Sequence, residues 1–291
     1  MKHSSVLIVG CGDIGIRTGG LLMAQGWGVA GVRRDSSKLP AEFFAYAANY
    51  TQSASLDFIA PLEPDFVLAT FNPADRTPAG YKAGFQTAMS HLISGLGSHR
   101  PRHILMVSST RVFAEALGGW VDEDSPLTDD DPCALEIIAA EQQLLTSGHN
   151  ASVVRFAGIY GIPGSRLMLR VRSGELSHSE PVSYTNRIHR DDCAGFLAHL
   201  LQLVDVGKTI EPLYIGVDDE PAPRYEVEAW LARAMGLEVR PQQRLSASVE
   251  QPAGRGESSH KRCRNKALHN SGYQLIYPDY KSGYNALLAQ N

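Results

Sequence analysis

No apolar run in the 291-residue sequence approaches the roughly 20 residues a membrane-crossing helix needs, which excludes an integral helical membrane protein. Cysteine is scarce. Cys11, Cys133, Cys193 and Cys263 stand far apart with no paired spacing, so neither a disulfide framework nor a thiolate zinc site is encoded. Neither sign of charge is in large excess: 27 Lys and Arg face 31 Asp and Glu, the net charge is −4 and the pI about 6.2. That balance argues against nucleic acid or an anionic membrane as the main partner. Internal repeats and low-complexity tracts are also missing, and Met1-Lys2-His3 leaves no room for a signal peptide before the first apolar run. The expectation is a reduced, cytoplasmic protein, with one large α/β domain or a nucleotide domain and a smaller companion.

What is present begins at residue 6. Val6-Leu7-Ile8-Val9 is a β-branched apolar run, Gly10-Cys11-Gly12-Asp13-Ile14-Gly15 follows at once, and a helical pattern continues toward Gly26. Strand, glycine turn and helix in that order suit a dinucleotide. One glycine makes the tight turn, the next admits the pyrophosphate, the third lets helix pack on strand, and the phosphates meet the helix N-terminus. The glycine spacing alone would arise by chance in roughly a fifth of chains with this glycine content. Its place between a strand and a helix, with a second strand at 29–32, gives it meaning.

The end of that second strand bears on the cofactor. An acidic residue about 20 positions past the glycines would hold an NAD ribose, but here stand Arg33 and Arg34. A guanidinium fork suits the 2′-phosphate of NADP, so NADP is expected, with NAD open because Asp35 could still serve a ribose.

Downstream, residues 36–41 read as a loop and 43–48 as an apolar run of uncertain type. Residues 66–70 and 103–107 read as buried parallel strands, with a helix at 81–96 between them. Residues 120–132 are acidic and carry Pro126 and Pro132, so a loop is predicted there. A helix then opens at Pro132 with apolar residues on more than one face; a subunit interface, hence a homodimer, or cover from the same chain would explain them. Beyond it come a strand at 151–156, a short helix at 166–174, a helix at 190–203, a strand at 213–217 and a helix at 225–235, and residues 246–266 read as a polar tail. The fold class is α/β: a Rossmann doubly wound parallel sheet with helices on both faces and a smaller C-terminal lobe. The expected division is 1–161 with 186–211 for NAD(P), and 162–185 with 212–291 for substrate.

Five stretches carry a resemblance: the glycine turn, Ser108-Ser109-Thr110-Arg111-Val112-Phe113, Arg155-Phe156-Ala157-Gly158-Ile159-Tyr160-Gly161, Asn186-Arg187-Ile188-His189-Arg190-Asp191-Asp192 and Asp218-Asp219-Glu220-Pro221. In this order they resemble the extended short-chain dehydrogenase/reductases, which include the sugar-nucleotide epimerases and dehydratases, and within them an atypical subgroup. The resemblance implies an oxidoreductase or epimerase acting on a small polar or nucleotide-linked substrate. It also implies a serine at the end of the fifth strand, which falls on Ser109, and a Tyr-x-x-x-Lys on the next helix. Those last positions hold Cys133 and Ile137, and no Tyr lies between Tyr81 and Tyr160. The pair Tyr277 and Lys281 has the right spacing but encloses Pro278 and lies far past the nucleotide domain.

The candidate cofactor residues are therefore Gly10, Gly12, Asp13, Ile14, Gly15, Arg33, Arg34, Thr70, Ser108 and Ala157. Ser109, Cys133 and Tyr160 are the candidate catalytic groups, Cys133 being alternatively a small buried residue and Tyr160 a packing aromatic. Thr110, Arg111 and Arg187 are candidate substrate contacts. No metal is expected, because His189 and Asp192 lack a third ligand. The basic cluster Lys261, Arg262, Arg264 and Lys266 reads as a solvated face in preference to a diphosphate clamp. With the usual acid and its lysine missing, a non-catalytic NADP-binding sensor is the alternative to an enzyme.

Overall fold

A computed structural model describes residues 4–239 and 260–289. Its first half is β1 (Ser5–Val9), α1 (Asp13–Met23), β2 (Gly28–Arg33), β3 (Phe44–Ala47), α2 (Ile59–Leu62), β4 (Phe66–Ala69), α3 (Pro78–Tyr81), a π-helical turn (Lys82–Thr87), α4 (Ala88–Leu96), β5 (His103–Ser109), β6 (Trp120–Val121) and α5 (Pro132–Leu145). The second half is β7 (Ala151–Phe156), β8 (Gly158–Tyr160), α6 (Arg166–Arg172), β9 (Tyr184–Thr185), β10 (Arg187–His189), α7 (Arg190–Asp205), β11 (Leu213–Gly216), β12 (Ala222–Pro223), α8 (Arg224–Ala234), β13 (Arg262–Cys263), α9 (Lys266–Asn270) and α10 (Tyr280–Leu288).

Seven parallel strands form one sheet in the order β3-β2-β1-β4-β5-β7-β11. The order reverses between β1 and β4, and the crevice beyond the strands' carboxyl ends at such a point is where doubly wound sheets bind ligands. Side chains alternate between two buried faces, which is why the strands read as unbroken apolar runs. Leu7, Val9, Val67, Ile104, Met106 and Val153 pack beneath α4 and α5, while Val6, Ile8, Phe66, Leu68, Leu105 and Val154 pack beneath α1 and α7. Each such side chain contributes about 1.5–3 kcal/mol on burial. A third cluster, built from Tyr160, Met168, Val171, Val227, Leu231, Tyr280, Tyr284 and Leu287, lies apart from the sheet.

Several expectations are resolved by packing. The uncertain run at 43–48 is edge strand β3, mostly exposed and so lacking a burial signature. The predicted loop at 120–132 is a loop only from residue 122: Trp120 and Val121 pair in parallel with Arg262 and Cys263. Ile137, Ile138 and Leu144 of α5 are covered by the sheet and by the helical stretch Pro78–Leu96 of the same chain, while Leu135 and Leu145 remain exposed. That stretch starts earlier than sequence suggests because Thr77 caps it, accepting from the Gly80 amide. Its π-turn contains Gly84, where an added Cβ would lie 2.3 Å from the Asn72 carbonyl oxygen, so glycine is what lets the helix approach the loop after β4. The expected polar tail lies in part outside the described residues; from Arg262 the chain continues as β13, α9 and α10.

Candidate active site

The glycine turn closes β1 onto its neighbours. The Gly10 and Cys11 amides donate to the Val32 carbonyl at 3.0 and 2.9 Å, and Thr70 Oγ1 donates to the Gly10 carbonyl at 2.9 Å. Thr70 thus holds the turn in shape. Gly10 has φ +85° and its missing Cβ would lie 2.6 Å from the Thr70 carbonyl oxygen, so a side chain is barred twice over. A Cβ on Gly12 would make only ordinary contact with the Gly10 carbonyl oxygen at 3.7 Å, while one on Gly15 would press on Ile8 at 2.9 Å. Gly10 thus makes the tight turn and Gly15 the close helix–strand packing. Helix α1 then starts on Gly12 with no side-chain cap, and the amides of Asp13, Ile14 and Gly15 have no protein acceptor among the described residues. Three unspent donors at a helix N-terminus form an anion cradle. The Asp13 carboxylate beside it is offset by Arg17 at 3.2 Å and Arg190 at 3.7 Å.

Arg33 and Arg34 end β2, one strand away from this turn. Neither forms an ion pair with a described residue. Asp35 is engaged instead: Ser37 donates to it at 2.6 Å and Lys38 lies 3.2 Å away, which hold its carboxyl below the ordinary value. The residue that could have served a bare ribose is thus turned to its own loop.

Beyond the carboxyl ends of β5 and β7 opens a cleft of about 680 Å³. It collects Ser109, Thr110, Arg111, Ala157, Tyr160 and Arg187 from among the expected residues, and adds Tyr81, Arg166, Arg170, Arg224, Lys261 and Tyr284. Six of its lining residues are basic and one, Glu228, is acidic. Glu228 is committed to Ser177 and lies 3.7 Å from Arg170. Arg166 and Arg187 form no ion pair with a described residue. Arg187 donates to Thr185, and its Nη1 is buried without a hydrogen-bond partner. The cleft is therefore electropositive, with guanidinium capacity in reserve.

On one wall Ser109 Oγ accepts from the Arg111 amide at 3.2 Å. The Arg111 fork is held by Asp131 at 2.6 and 2.9 Å, and Asp131 also caps α5 through the Cys133 and Ala134 amides. Arg111 Nη1 donates to Tyr81 Oη at 3.2 Å. From the far end of the chain, the Lys261 ammonium donates to the Thr110 and Phe113 carbonyls at 3.3 and 3.2 Å; burial pulls its pKa below the ordinary lysine value.

Three expectations need correction. Cys133 does not line the cleft: its buried thiol lies 3.9 Å from the Arg76 carbonyl, so the small-residue alternative describes it. Ser108 is turned into the protein, donating to Glu141 at 2.5 Å, and Glu141 is gripped by Arg155. The basic cluster is a solvated face only in part: Lys261 is 2% exposed, whereas Arg264 and Lys266 are exposed, with Arg262 and Arg264 over the exposed Trp120 ring at 5.0 and 4.9 Å. Tyr160 does reach the cleft, but its hydroxyl donates to the Asp279 carbonyl at 3.4 Å and burial drives its pKa far up, as a packing aromatic requires. His189 caps α7 through the Asp191 amide, and Asp192 accepts from the Ile276 and Tyr277 amides. Among the described residues no group of His, Cys, Asp and Glu is arranged for a metal ion, and no helix is long and apolar enough to cross a membrane.

Sequence reasoning passed over Tyr81 and assigned Lys261 to a solvated face. Tyr81 precedes the region where an acid was sought; Lys261 sits in a locally polar stretch that gives no sign of burial.

A seven-stranded doubly wound sheet with an anion-receptive glycine turn at its reversal point and a basic cleft at the same carboxyl edge defines a dinucleotide-binding α/β protein. Comparison with known proteins narrows the class. A Methylobacillus flagellatus protein assigned as an NAD-dependent epimerase/dehydratase is 34% identical, with a TM-score of 0.82 and 99% of both chains covered. The chain belongs to the NAD-dependent epimerase/dehydratase family. It is also 27% identical over 285 residues to Protein YeeZ of Escherichia coli K12, spanning 94% of this chain and 96% of that one. A human epimerase family protein solved with NADPH shares the fold at 19% identity, with a TM-score of 0.72 over 99% of this chain and all of that one. No family model matches the sequence.

Proposed function

We propose that the protein is an NADP-dependent oxidoreductase or epimerase acting on a small anionic, nucleotide-linked or otherwise polar substrate. The observation that carries this is that the uncapped α1 N-terminus after β1, Arg33 at the end of β2, and a cleft lined by six basic residues beyond β5 and β7 all lie at the carboxyl edge of one parallel sheet. Gly10, Gly12 and Gly15 with the Asp13, Ile14 and Gly15 amides would hold the pyrophosphate, and Arg33 and Arg34 the 2′-phosphate. The bound cofactor would supply or accept a hydride. Fold relatives include a human protein solved with NADPH and a Bordetella bronchiseptica enzyme solved with NAD+, so the choice of NADP rests on Arg33 and Arg34. The residues of this chain then bind and orient: Arg187, Arg166 and Arg224 neutralise substrate charge, Ser109 offers a hydroxyl, and the lobe built around the third apolar cluster closes the cleft. The two-part division of the chain and a soluble cytoplasmic setting belong to this reading.

A specific observation favours the non-catalytic alternative. Where the family's Tyr and Lys would stand, Cys133 and Ile137 are buried in the apolar core. The discriminating experiment titrates NADPH and NADH onto the purified protein and assays NADPH oxidation with a panel of small carbonyl compounds and keto sugar nucleotides. Micromolar NADPH binding with turnover of at least one anionic carbonyl is expected. Tight binding with no turnover on any probe would favour the sensor, and tighter binding of NADH would remove the role given to Arg33 and Arg34.

A further inference from the structure

We infer that Tyr81 is the proton donor of this cleft, an inference that rests on the reading above as an oxidoreductase or epimerase. Tyr81, Tyr160 and Tyr284 are the phenols that line it. The Tyr160 proton is already given to the Asp279 carbonyl. Tyr284 belongs to the third apolar cluster at the C-terminal side of the cleft, and burial pushes its phenol up to about 12. Tyr81 differs in its hydrogen bonding. Its oxygen accepts from Arg111, while its own hydrogen has no acceptor among the described residues, so the O–H is left for whatever fills the cleft. It lies after β4 and lines the same cleft as Ser109, Ser109 accepting from the Arg111 amide and Tyr81 from the Arg111 guanidinium. The Arg111 side chain lies over the Tyr81 ring at 5.2 Å, and Asp131 fixes its fork from behind.

The rest of the environment keeps Tyr81 in place. Its ring stacks on Phe85 at 5.8 Å and 19°, inside the π-turn that Gly84 allows to approach the loop after β4. The π-turn that follows at Lys82–Thr87 continues directly from Tyr81, which lines the cleft beyond β5 and β7.

The chemistry balances. Reduction of a substrate carbonyl by a reduced nicotinamide dinucleotide brings a hydride to carbon and leaves the C=O π pair on oxygen. Tyr81 breaks its O–H bond and forms the new O–H bond there. The phenolate that remains keeps the Arg111 hydrogen bond, a charge-assisted contact, until the proton returns from solvent through the cleft. In the oxidative direction the same residue takes the proton back.

The test uses the full chain in two forms, with Tyr160→Phe as comparator. In the first, 3-fluorotyrosine is placed at position 81, an almost isosteric change, and its 19F resonance is tracked as NADP+ is added. In the second, Tyr81→Phe is assayed for NADPH affinity and for kcat on the carbonyl panel, with Tm confirming that it folds. A cofactor-dependent shift of the fluorine signal is expected. Tyr81→Phe should keep NADPH affinity within about threefold and lose about 10²–10⁴-fold in kcat, while Tyr160→Phe loses less than tenfold. Unchanged fluorine resonance at saturating NADP+, or a Tyr81→Phe variant keeping more than a tenth of the wild-type kcat, would overturn the assignment while leaving the enzyme intact. Absence of NADP+ binding, or binding with no turnover by the wild type, would remove the parent reading and this inference together.

Discussion

Asp218 offers the sharpest test of the energetics. Its carboxyl is 1% exposed and neither oxygen has a well-formed hydrogen bond among the described residues. Burial pushes its pKa up to about 8 from an ordinary 3.8, against the pull of Arg187 and the Glu220 amide; Asp219, Glu220, Tyr160 and Tyr284 are the other titratable groups around it. Because the folded value is raised, the stability contribution is complete below pH 3.8 and is lost as pH rises toward 8, where the unfolded chain has released a proton that the folded chain retains. At about 1.4 kcal/mol per pH unit, the loss by pH 7 is about 4 kcal/mol. Asp218→Asn puts a neutral group of the same shape beside Arg187 and abolishes the titration. Urea unfolding at pH 4 should give similar stabilities for the two proteins, and at pH 7 the variant should be more stable by about 4 kcal/mol. Stability curves that run parallel from pH 4 to 8 would refute the reasoning, because they would mean that the carboxylate ionises in the fold without cost.

Two further outcomes are expected. Arg33→Ser removes a charge-assisted contact worth about 1.5–3 kcal/mol, so NADPH should bind about 10–100-fold more weakly in a fluorescence titration while NADH affinity stays as it was. Glu141→Ala strands Arg155, whose side chain is 4% exposed, and should cost about 3–5 kcal/mol in chemical denaturation; a second change, Arg155→Met, should restore much of it by removing the orphaned charge.

The sheet was legible because its strands are buried on both faces. Val6 to Val9, Phe66 to Ala69 and the run from His103 carry their own periodicity and punctuation. The glycine turn was legible for a related reason: each glycine answers a local steric demand, and Gly10 and Gly15 can be checked atom by atom. The cleft was readable only in half. Ser109, Arg111, Ala157 and Arg187 sit beside strand ends and share one opening, whereas Lys261 becomes part of the wall through the pairing of β13 with β6, some 140 residues earlier in the chain. Two-residue strands leave no periodic trace, and a buried lysine hydrogen-bonded to carbonyls looks in sequence like any surface lysine. Helix α10 did carry a signal: Asp279 caps it through the Ser282 amide, and Tyr280, Tyr284 and Leu287 recur at helical spacing. Ser108 was misassigned because adjacent residues on a strand face opposite ways, and only Ser109 faces the cleft.

The β6–β13 pairing also fixes when this protein can become competent. Ser109 and Tyr284, both on the cleft, are about 175 residues apart, and Lys261 emerges near the end of synthesis. At roughly 5–20 residues per second a ribosome takes on the order of 10–35 s to make that stretch. During that time the sheet's leading strands and the glycine turn can assemble and accept a nucleotide. Cofactor binding can therefore precede completion of the substrate cleft in a nascent chain, which gives the early half a ligand to fold around before the late half arrives.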